Sequence, residues 1–387
     1  MTKPKLIRIT TVPISLEKLL EGQLQYMQQF YNVSAISSDK KRLEEFGKKN
    51  HVATYSLTLT RKITPLKDIR AVFKLFHFLR KERPLIVHTH TPKAGIVGMM
   101  AAYLAGVPIR LHTVAGLPLM EARGFKRMVL NLIEKGTYRF ATNVYPNSQG
   151  LYDFILSERF TSKKKLSILA NGSSNGIDIS HFSPAHFSET ALFNLRTKVS
   201  ISPSDFVFLF VGRLVKDKGI VEVVDAFVAF QKKYSDSILL LVGPMEAALD
   251  PLPKATLDLI AQHPNIRTTG YIEDVRPYFA ISTAFVFPSY REGFPNVVLQ
   301  AASMKVPCIV SDIIGNNDII THNVNGVMVP PKDTDALVKA MEVLYNNPEL
   351  RLQFAEKSYE NVTQKYERQQ VWNALLKEYK RLEHNLL

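Results

Sequence analysis

Along the first half of the chain, short apolar runs alternate with longer stretches in which apolar residues recur every three or four positions. Leu6–Val12, Val33–Ser37, Val52–Leu59, Leu85–His90, Ile109–Val114 and Asn143–Asn147 are rich in β-branched and aliphatic side chains and read as strands. Within Leu66–Arg80, the residues Leu66, Ile69, Phe73, Phe76 and Leu79 fall at helical spacing. On a helix of this kind Phe73 and Phe76 are expected in the core. The pattern breaks at Asn171-Gly-Ser-Ser-Asn-Gly-Ile-Asp and Phe182-Ser-Pro, whose Gly, Asn and Ser mark a linker. Beyond it the alternation restarts with Phe206–Gly212, Ile238–Gly243, Ile266–Gly270, Ala284–Pro288, Cys308–Asp312 and Val327–Val329, and from Pro348 onward the chain reads as a charged helical tail. Strand–helix alternation predicts parallel sheets covered on both faces, so the expected fold class is α/β with two consecutive doubly wound units.

Length supports the same division, because 387 residues exceed one ordinary domain. An apolar share of 46% is ample for two cores, and no stretch approaches the roughly 18 uninterrupted apolar residues that span a bilayer. The opening Met1-Thr-Lys-Pro-Lys-Leu-Ile-Arg-Ile reads as a first strand rather than an export signal. The single cysteine, Cys308, lies in the apolar run Val306-Pro-Cys-Ile-Val and reads as a small buried hydrophobe. A reducing, cytoplasmic setting is therefore expected.

Charge is unevenly placed. Residues 1–185 hold 28 Lys and Arg against 12 Asp and Glu, a net of +16, whereas the remainder nets −2 within a total of +14. A basic half of this kind faces something anionic or is simply a solvated basic surface. The basic–aromatic interleaving of single-strand binding is not visible, so an anionic membrane is favoured over nucleic acid.

Ligands of doubly wound sheets bind beyond the carboxyl ends of the strands, so chemistry is sought in the loops that follow them. One is Phe210-Val-Gly-Arg-Leu-Val-Lys-Asp-Lys-Gly-Ile, where Gly212 allows close backbone approach and Arg213 and Lys218 offer donors to phosphate oxygens. Another is Phe287-Pro-Ser-Tyr-Arg-Glu-Gly-Phe-Pro-Asn-Val-Val-Leu-Gln-Ala, in which a helix should begin near Phe294 to Asn296 and present its first N–H groups to an anion. Glu292 stands just before those amides and can accept from sugar hydroxyls. Gln300, eight residues on, can reach a ribose.

Other features are discounted. Asp333-Thr-Asp335 precedes a helical run and reads as a cap, not a metal site. His88 and His90 have no nearby acid–cysteine cluster to make a zinc site. A glycosidase needs two carboxylates across one bond, and these loops supply one, Glu292.

Taken together, these motifs resemble those of retaining GT-B glycosyltransferases of family 4, of the capsular and lipid-linked polysaccharide type. The resemblance spans nearly the whole chain and includes Gly212-Arg-Leu-Val-Lys-Asp-Lys-Gly, Pro288-Ser-Tyr-Arg-Glu-Gly-Phe-Pro-Asn and Asn325-Gly. Val87-His-Thr-His-Thr-Pro-Lys-Ala-Gly, Leu111-His-Thr-Val-Ala-Gly-Leu-Pro and the linker Gly172-Ser-Ser-Asn-Gly-Ile-Asp belong to it as well.

It implies two facing Rossmann-like domains. An acceptor-binding one would cover 1–183 and take back a C-terminal helix, 366–387; a donor-binding one would cover 184–365. It further implies that Arg213 and Lys218 neutralise a donor diphosphate and that Glu292 holds the transferred sugar. Gly212, Gly293, Phe294, Pro295 and Asn296 would line the donor, and His112 would lie across from the donor sugar. His90, Arg123, Lys126 and Arg127 are the candidates for the acceptor or membrane side. The implied donor is a nucleotide sugar, with UDP favoured and a hexose or N-acetylhexosamine as passenger. No metal or other cofactor is implied, and the acceptor would be a lipid-linked sugar at the inner face of the membrane. Two departures stand out: Gln300 replaces the second glutamate of the family's Glu-x7-Glu, and Thr10-Thr-Val-Pro-Ile-Ser-Leu-Glu lacks the paired glycines of many relatives. The competing readings are a nucleotide-sugar epimerase on the same architecture, or a noncatalytic binder of nucleotide sugar or nucleic acid.

Overall fold

The computed structural model describes residues 3–60, 64–246 and 250–386; Met1 and Thr2 of the opening segment lie outside them. The chain forms two compact units, one of Met1–Gly176 with Arg368–Leu387 and one of Ile177–Glu367. The boundary thus falls seven residues before the expected one. Ile177 N donates to the Tyr366 carbonyl and Phe182 is buried in the second core, which claims the end of the linker for the second unit.

The first unit is built on β1 (Lys5–Ile9), β2 (Asn32–Ser37), β3 (Ala53–Ser56), β4 (Ile86–His90), β5 (Ile109–Val114) and β6 (Asn143–Pro146). They form one parallel sheet in the order β3-β2-β1-β4-β5-β6. Its helices are α1 (Pro13–Leu19), α2 (Gln23–Gln28), α3 (Lys40–Asn50), α4 (Pro65–Glu82), α5 (Pro92–Leu104), α6 (Gly124–Phe140) and α7 (Gln149–Ser157). The second unit continues with α8 (Glu189–Lys198), β7 (Phe206–Val211), α9 (Ile220–Gln231), β8 (Ser237–Val242), α10 (Lys254–Gln262), β9 (Ile266–Thr268), α11 (Arg276–Ala280) and β10 (Ala284–Phe287). It closes with α12 (Asn296–Ser303), β11 (Cys308–Ser311), α13 (Asn316–Ile319), β12 (Val327–Val329), α14 (Thr334–Asn346) and α15 (Pro348–Tyr366). Its sheet is also parallel, in the order β12-β11-β10-β7-β8-β9. Every residue of β7, β8 and β10 is buried, and all but Ser237 are apolar, as strands covered on both faces require.

The charged tail is two helices. The chain leaves helical geometry at Glu367 (φ −56°, ψ 134°) and continues as α16 (Arg368–His384) in the first unit. There Leu375 and Tyr379 are buried, and the Trp372 indole donates to Asn175 Oδ1 at 2.7 Å.

Helix α4 departs from expectation in the face it buries. Ala71, Val72, Leu75 and Leu79 are buried, whereas Leu66, Ile69 and Phe73 are exposed and Phe76 is half-buried. Only Leu79 of the expected stripe packs inward, because the helix is apolar on two sides and the slimmer side meets α5. Elsewhere local signals hold. Asp333 caps α14 by accepting from Ala336 N at 2.8 Å, and Cys308 is buried, which raises its thiol pKa.

Candidate active site

In the second unit β7 and β10 are neighbours, and the chain winds away from them in opposite directions, which makes the carboxyl edge there a switch point. The loop after β7 packs directly on the loop after β10. Gly219 has φ +73°, and a Cβ there would lie 2.1 Å from the Pro288 carbonyl oxygen. Tyr290 N donates to the Asp217 carbonyl at 2.9 Å, and Ser289 Oγ donates to Glu292 Oε1 at 2.7 Å.

These constraints bring Lys218 Nζ onto the Glu292 carboxylate, an ion pair only 17% and 15% exposed. Lys218 also lies 5.6 Å above the Phe287 ring. Gly293 follows Glu292 and is held from behind, since a Cβ on Gly315 would come 2.6 Å from the Gly293 carbonyl oxygen. Helix α12 starts at Asn296 with Pro295 at its N-cap and no capping side chain, so its first amides point toward the same edge. The Phe294 ring is 8% exposed and packs 5.2 Å from Tyr366, which leaves its backbone, not its ring, for a ligand. Gln300 is half-buried further along α12.

Arg213 has a different partner. Its Nη1 donates to Glu246 Oε2 at 2.7 Å, on the loop after β8. That loop abuts the Gly212 backbone so tightly that a Cβ on Gly243 would lie 1.8 Å from the Gly212 carbonyl oxygen. Lys218, Glu292 and the Gly293 turn are therefore joined directly, while Arg213 is tied to Glu246. Neither Glu246 nor Ser289 was singled out from sequence. Ser289 lay inside the quoted motif, and Glu246 follows β8 closely enough for the strand-end rule to flag it.

In the first unit the corresponding switch point lies between β1 and β4. Their following loops are tied by Thr11 Oγ1 and Thr91 Oγ1, 2.7 Å apart. Thr91 has φ +75°, a left-handed conformation that strains a β-branched residue. His112 is 2% exposed. Its Nδ1 lies 2.8 Å from Thr89 Oγ1, which itself donates to the Leu111 carbonyl at 3.3 Å. The imidazole therefore donates from Nδ1 and keeps Nε2 as an acceptor. Burial pushes its pKa down to about 3, against a smaller upward pull from a Thr89 hydrogen bond. Gly95 makes room for the ring: a Cβ there would meet His112 Cε1 at 2.6 Å.

His90 is 1% exposed and sits inside a polar network rather than on a surface. Its Nε2 accepts from Arg8 Nη2 at 2.7 Å, and that guanidinium nitrogen also donates to Gln23 Oε1 at 2.7 Å. Arg8 Nη1 reaches the Tyr379 hydroxyl at 3.2 Å, and that hydroxyl lies 2.6 Å from His88 Nδ1. Burial first, then nearby positive charge, holds His88 and His90 well below the ordinary histidine range. Arg123 and Lys126 are exposed on or beside α6. Arg127 is a structural tie: it donates to the Leu119 carbonyl at 2.6 Å and pairs with Glu158 at 3.0 Å. Among the described residues no cluster of three or more His, Cys, Asp or Glu is arranged to hold a metal ion.

Residues 193–361 match the family Glycosyl transferases group 1, and residues 24–172 match the Glycosyl transferase 4-like domain. Over 376 residues, 97% of this chain and 96% of the other, the sequence is 31% identical to the capsular polysaccharide biosynthesis glycosyltransferase CapM of Staphylococcus aureus. The chain belongs to the group 1, GT4-like family of GT-B glycosyltransferases. A further relative is the Escherichia coli UDP-Gal:alpha-D-GlcNAc-diphosphoundecaprenol alpha-1,3-galactosyltransferase, 29% identical over 349 residues that cover 86% of this chain and 87% of that one. Among solved structures, Anabaena HepE in complex with UDP and glucose superposes with a TM-score of 0.83, covering 98% of this chain and 100% of that one. At 16% identity that likeness is one of fold. In this glycosyltransferase the group 1 match contains the whole β7–β10 switch point, and the 4-like match contains the β4 side of the other.

Proposed function

We propose that the enzyme transfers a hexose or N-acetylhexosamine from a UDP-sugar to a lipid-linked sugar acceptor, with retention of anomeric configuration, in surface polysaccharide synthesis. The observation that carries this reading is the joined Lys218–Glu292 pair beside the Gly293 turn and the uncapped start of α12. A cation, an acid that can accept from sugar hydroxyls, and helix N-terminal amides are what a sugar diphosphate presents itself to. The names of the capsular and diphosphoundecaprenol-linked relatives support the acceptor class.

As the sugar–phosphate bond breaks, positive charge grows at the anomeric carbon and negative charge on the departing diphosphate. Lys218, Arg213 and the first amides of α12 stabilise that negative charge; one such preorganised donor is typically worth on the order of 3 kcal/mol, or about a hundredfold in rate. Glu292 positions the sugar through its hydroxyls. The acceptor arrives on the face that the diphosphate leaves, and a phosphate oxygen takes the acceptor proton, so the configuration is kept without a dedicated protein base. The reading in the Escherichia coli relative's name, UDP-Gal to an alpha-1,3 product, is consistent with that course.

The test is transfer from a panel of nucleotide sugars to a diphospho-lipid-linked sugar, with the product anomer assigned by NMR and chelator added to one arm. The expected outcome is an α-linked product whose yield chelator does not change. Arg213→Ala and Lys218→Ala should each lower kcat about a hundredfold in a folded protein. Near-normal turnover by both variants at saturating donor would remove the mechanism. Conversion of free nucleotide sugar without an acceptor would favour an epimerase.

A further inference from the structure

Helix α6 reads Gly124-Phe-Lys-Arg-Met-Val-Leu-Asn-Leu-Ile over its first ten residues, and none of those ten is buried. Burial begins only at Glu134, Thr137 and Tyr138. Phe125, Met128 and Leu132 are 75%, 52% and 64% exposed, at the i, i+3, i+7 spacing of one helix face. Helix α4 repeats the pattern: Leu66, Ile69 and Phe73 are 78%, 54% and 59% exposed at the same spacing. In each helix the stripe starts at the second residue.

The two helices belong to one layer. Helices α4 and α6 both pack against α5, and each begins beyond the carboxyl end of its preceding strand. Both stripes therefore start at the sheet edge that also carries Thr91 and His112. Exposed cations stand between the apolar residues, Lys67, Arg70 and Lys74 on α4 and Arg123 and Lys126 at the start of α6. The acid among them, Asp68, is held by Lys93 of α5. The unit as a whole holds 32 Lys and Arg against 13 Asp and Glu.

We propose that the outer face of α4 and α6 is a membrane-docking surface whose six apolar side chains insert into an anionic leaflet while the interleaved cations meet its headgroups. Apolar stripes flanked by cations are the pattern of helices that lie in the membrane interface. Charge selects this occupant over a second copy, since a two-fold contact would set the same cations against each other. It also selects a membrane over nucleic acid, because exposed Leu, Ile, Met and Phe add nothing to phosphate neutralisation. The purpose of docking, to bring the sheet edge to a lipid-linked acceptor, rests on the proposed function.

The experiment is co-sedimentation of the full chain with vesicles of phosphatidylcholine alone and of phosphatidylcholine with phosphatidylglycerol. The wild type should bind the anionic vesicles at least tenfold more tightly. The triple variant Phe73→Ser, Phe125→Ser, Leu132→Ser should lose about tenfold or more of that binding. Its thermal transition and its transfer to a water-soluble acceptor should stay as in the wild type. A dye on Met128→Cys should shift to the blue with anionic vesicles, whereas one on Leu352→Cys, exposed on α15, should not; the native Cys308 is buried and stays unlabelled. Undiminished vesicle binding by the triple variant would overturn the docking surface, as would a wild-type dimer that the triple variant abolishes. Failure of transfer to any soluble acceptor, with vesicle binding intact, would count against the proposed function instead.

Discussion

Arg213 and Glu246 form an ion pair at 2.7 Å across the loops that follow β7 and β8, with their side chains 40% and 35% exposed. Under the proposed function, a donor diphosphate has to displace this carboxylate from the guanidinium. Partly exposed pairs are weak, on the order of 0.2 to 1 kcal/mol, so the competition is small but measurable. Glu246→Gln should lower the KM for the nucleotide sugar about two- to fivefold and leave kcat nearly unchanged. Initial rates against donor concentration at fixed acceptor check this. A raised KM would mean that Glu246 itself holds the donor, and the competition would be wrong.

Gly219 should tolerate no side chain. It combines φ +73° with a would-be Cβ 2.1 Å from the Pro288 carbonyl oxygen. Alanine in that conformation costs roughly 1 kcal/mol, and pushing two loop backbones apart adds about 1 to 3 kcal/mol. Because Lys218 precedes this glycine and Pro288 leads into Ser289 and Glu292, the displacement reaches the ion pair directly. Gly219→Ala should lose about 2 to 4 kcal/mol in urea unfolding, and kcat should fall with it. Unchanged stability with normal turnover would show that the two loops are not mutually braced.

Twelve strands and the parallel character of both sheets were legible in sequence, because strands buried on both faces leave continuous apolar runs such as Phe206–Val211. The loops after β7 and β10 stood out because Gly, Lys, Glu and Pro sit together there for reasons packing does not supply. What sequence hid was partnership and facing. Lys218 and Glu292 are 74 residues apart, and Arg213 and Glu246 are 33 apart, so only tertiary placement joins them. Periodicity revealed the apolar stripe of α4 but not that a slimmer face, Ala71 and Val72 among it, would be the one buried. His90 looked available at the end of its strand; the buried Arg8 guanidinium, which also reaches Gln23 and Tyr379, claims it instead. Within the tail, Glu367 carries no breaker signal, and the turn there is imposed by the bridge between Ile177 and Glu367.

Acid should unfold the first unit through its histidines. His88, His90 and His112 are each buried with their pKa depressed, the last to about 3, whereas in an unfolded chain all three titrate near 6.5. Below that value the unfolded chain binds protons that the fold refuses. Their stabilising contribution is therefore present above about pH 6.5 and is lost as pH falls, at about 1.4 kcal/mol per pH unit for each histidine. Urea unfolding between pH 7 and 4.5 should show a steep loss, and His112→Gln should flatten it by about one histidine's share. A slope that His112→Gln leaves untouched would place that imidazole in solvent.

Glu134 titrates in the opposite sense. It is 4% exposed on α6, and burial raises its carboxyl pKa to about 7 despite a smaller downward pull from Tyr138 one turn on. Its unfolded value is near 4.5, so between the two the folded chain holds a proton that the unfolded chain has released. That stabilisation is complete below about pH 4.5 and disappears as pH rises through 7, a change of about 3 kcal/mol. Glu134→Gln keeps the shape and removes the titration. The difference in unfolding free energy between variant and wild type should accordingly move by about 3 kcal/mol in the variant's favour from pH 4.5 to pH 8. The direction separates this residue from the histidines, whose effect weakens the fold as pH falls. A difference that stays constant across that range would mean that Glu134 ionises freely in the folded protein, and the buried carboxyl on α6 would then need a cationic neighbour or water access to account for it.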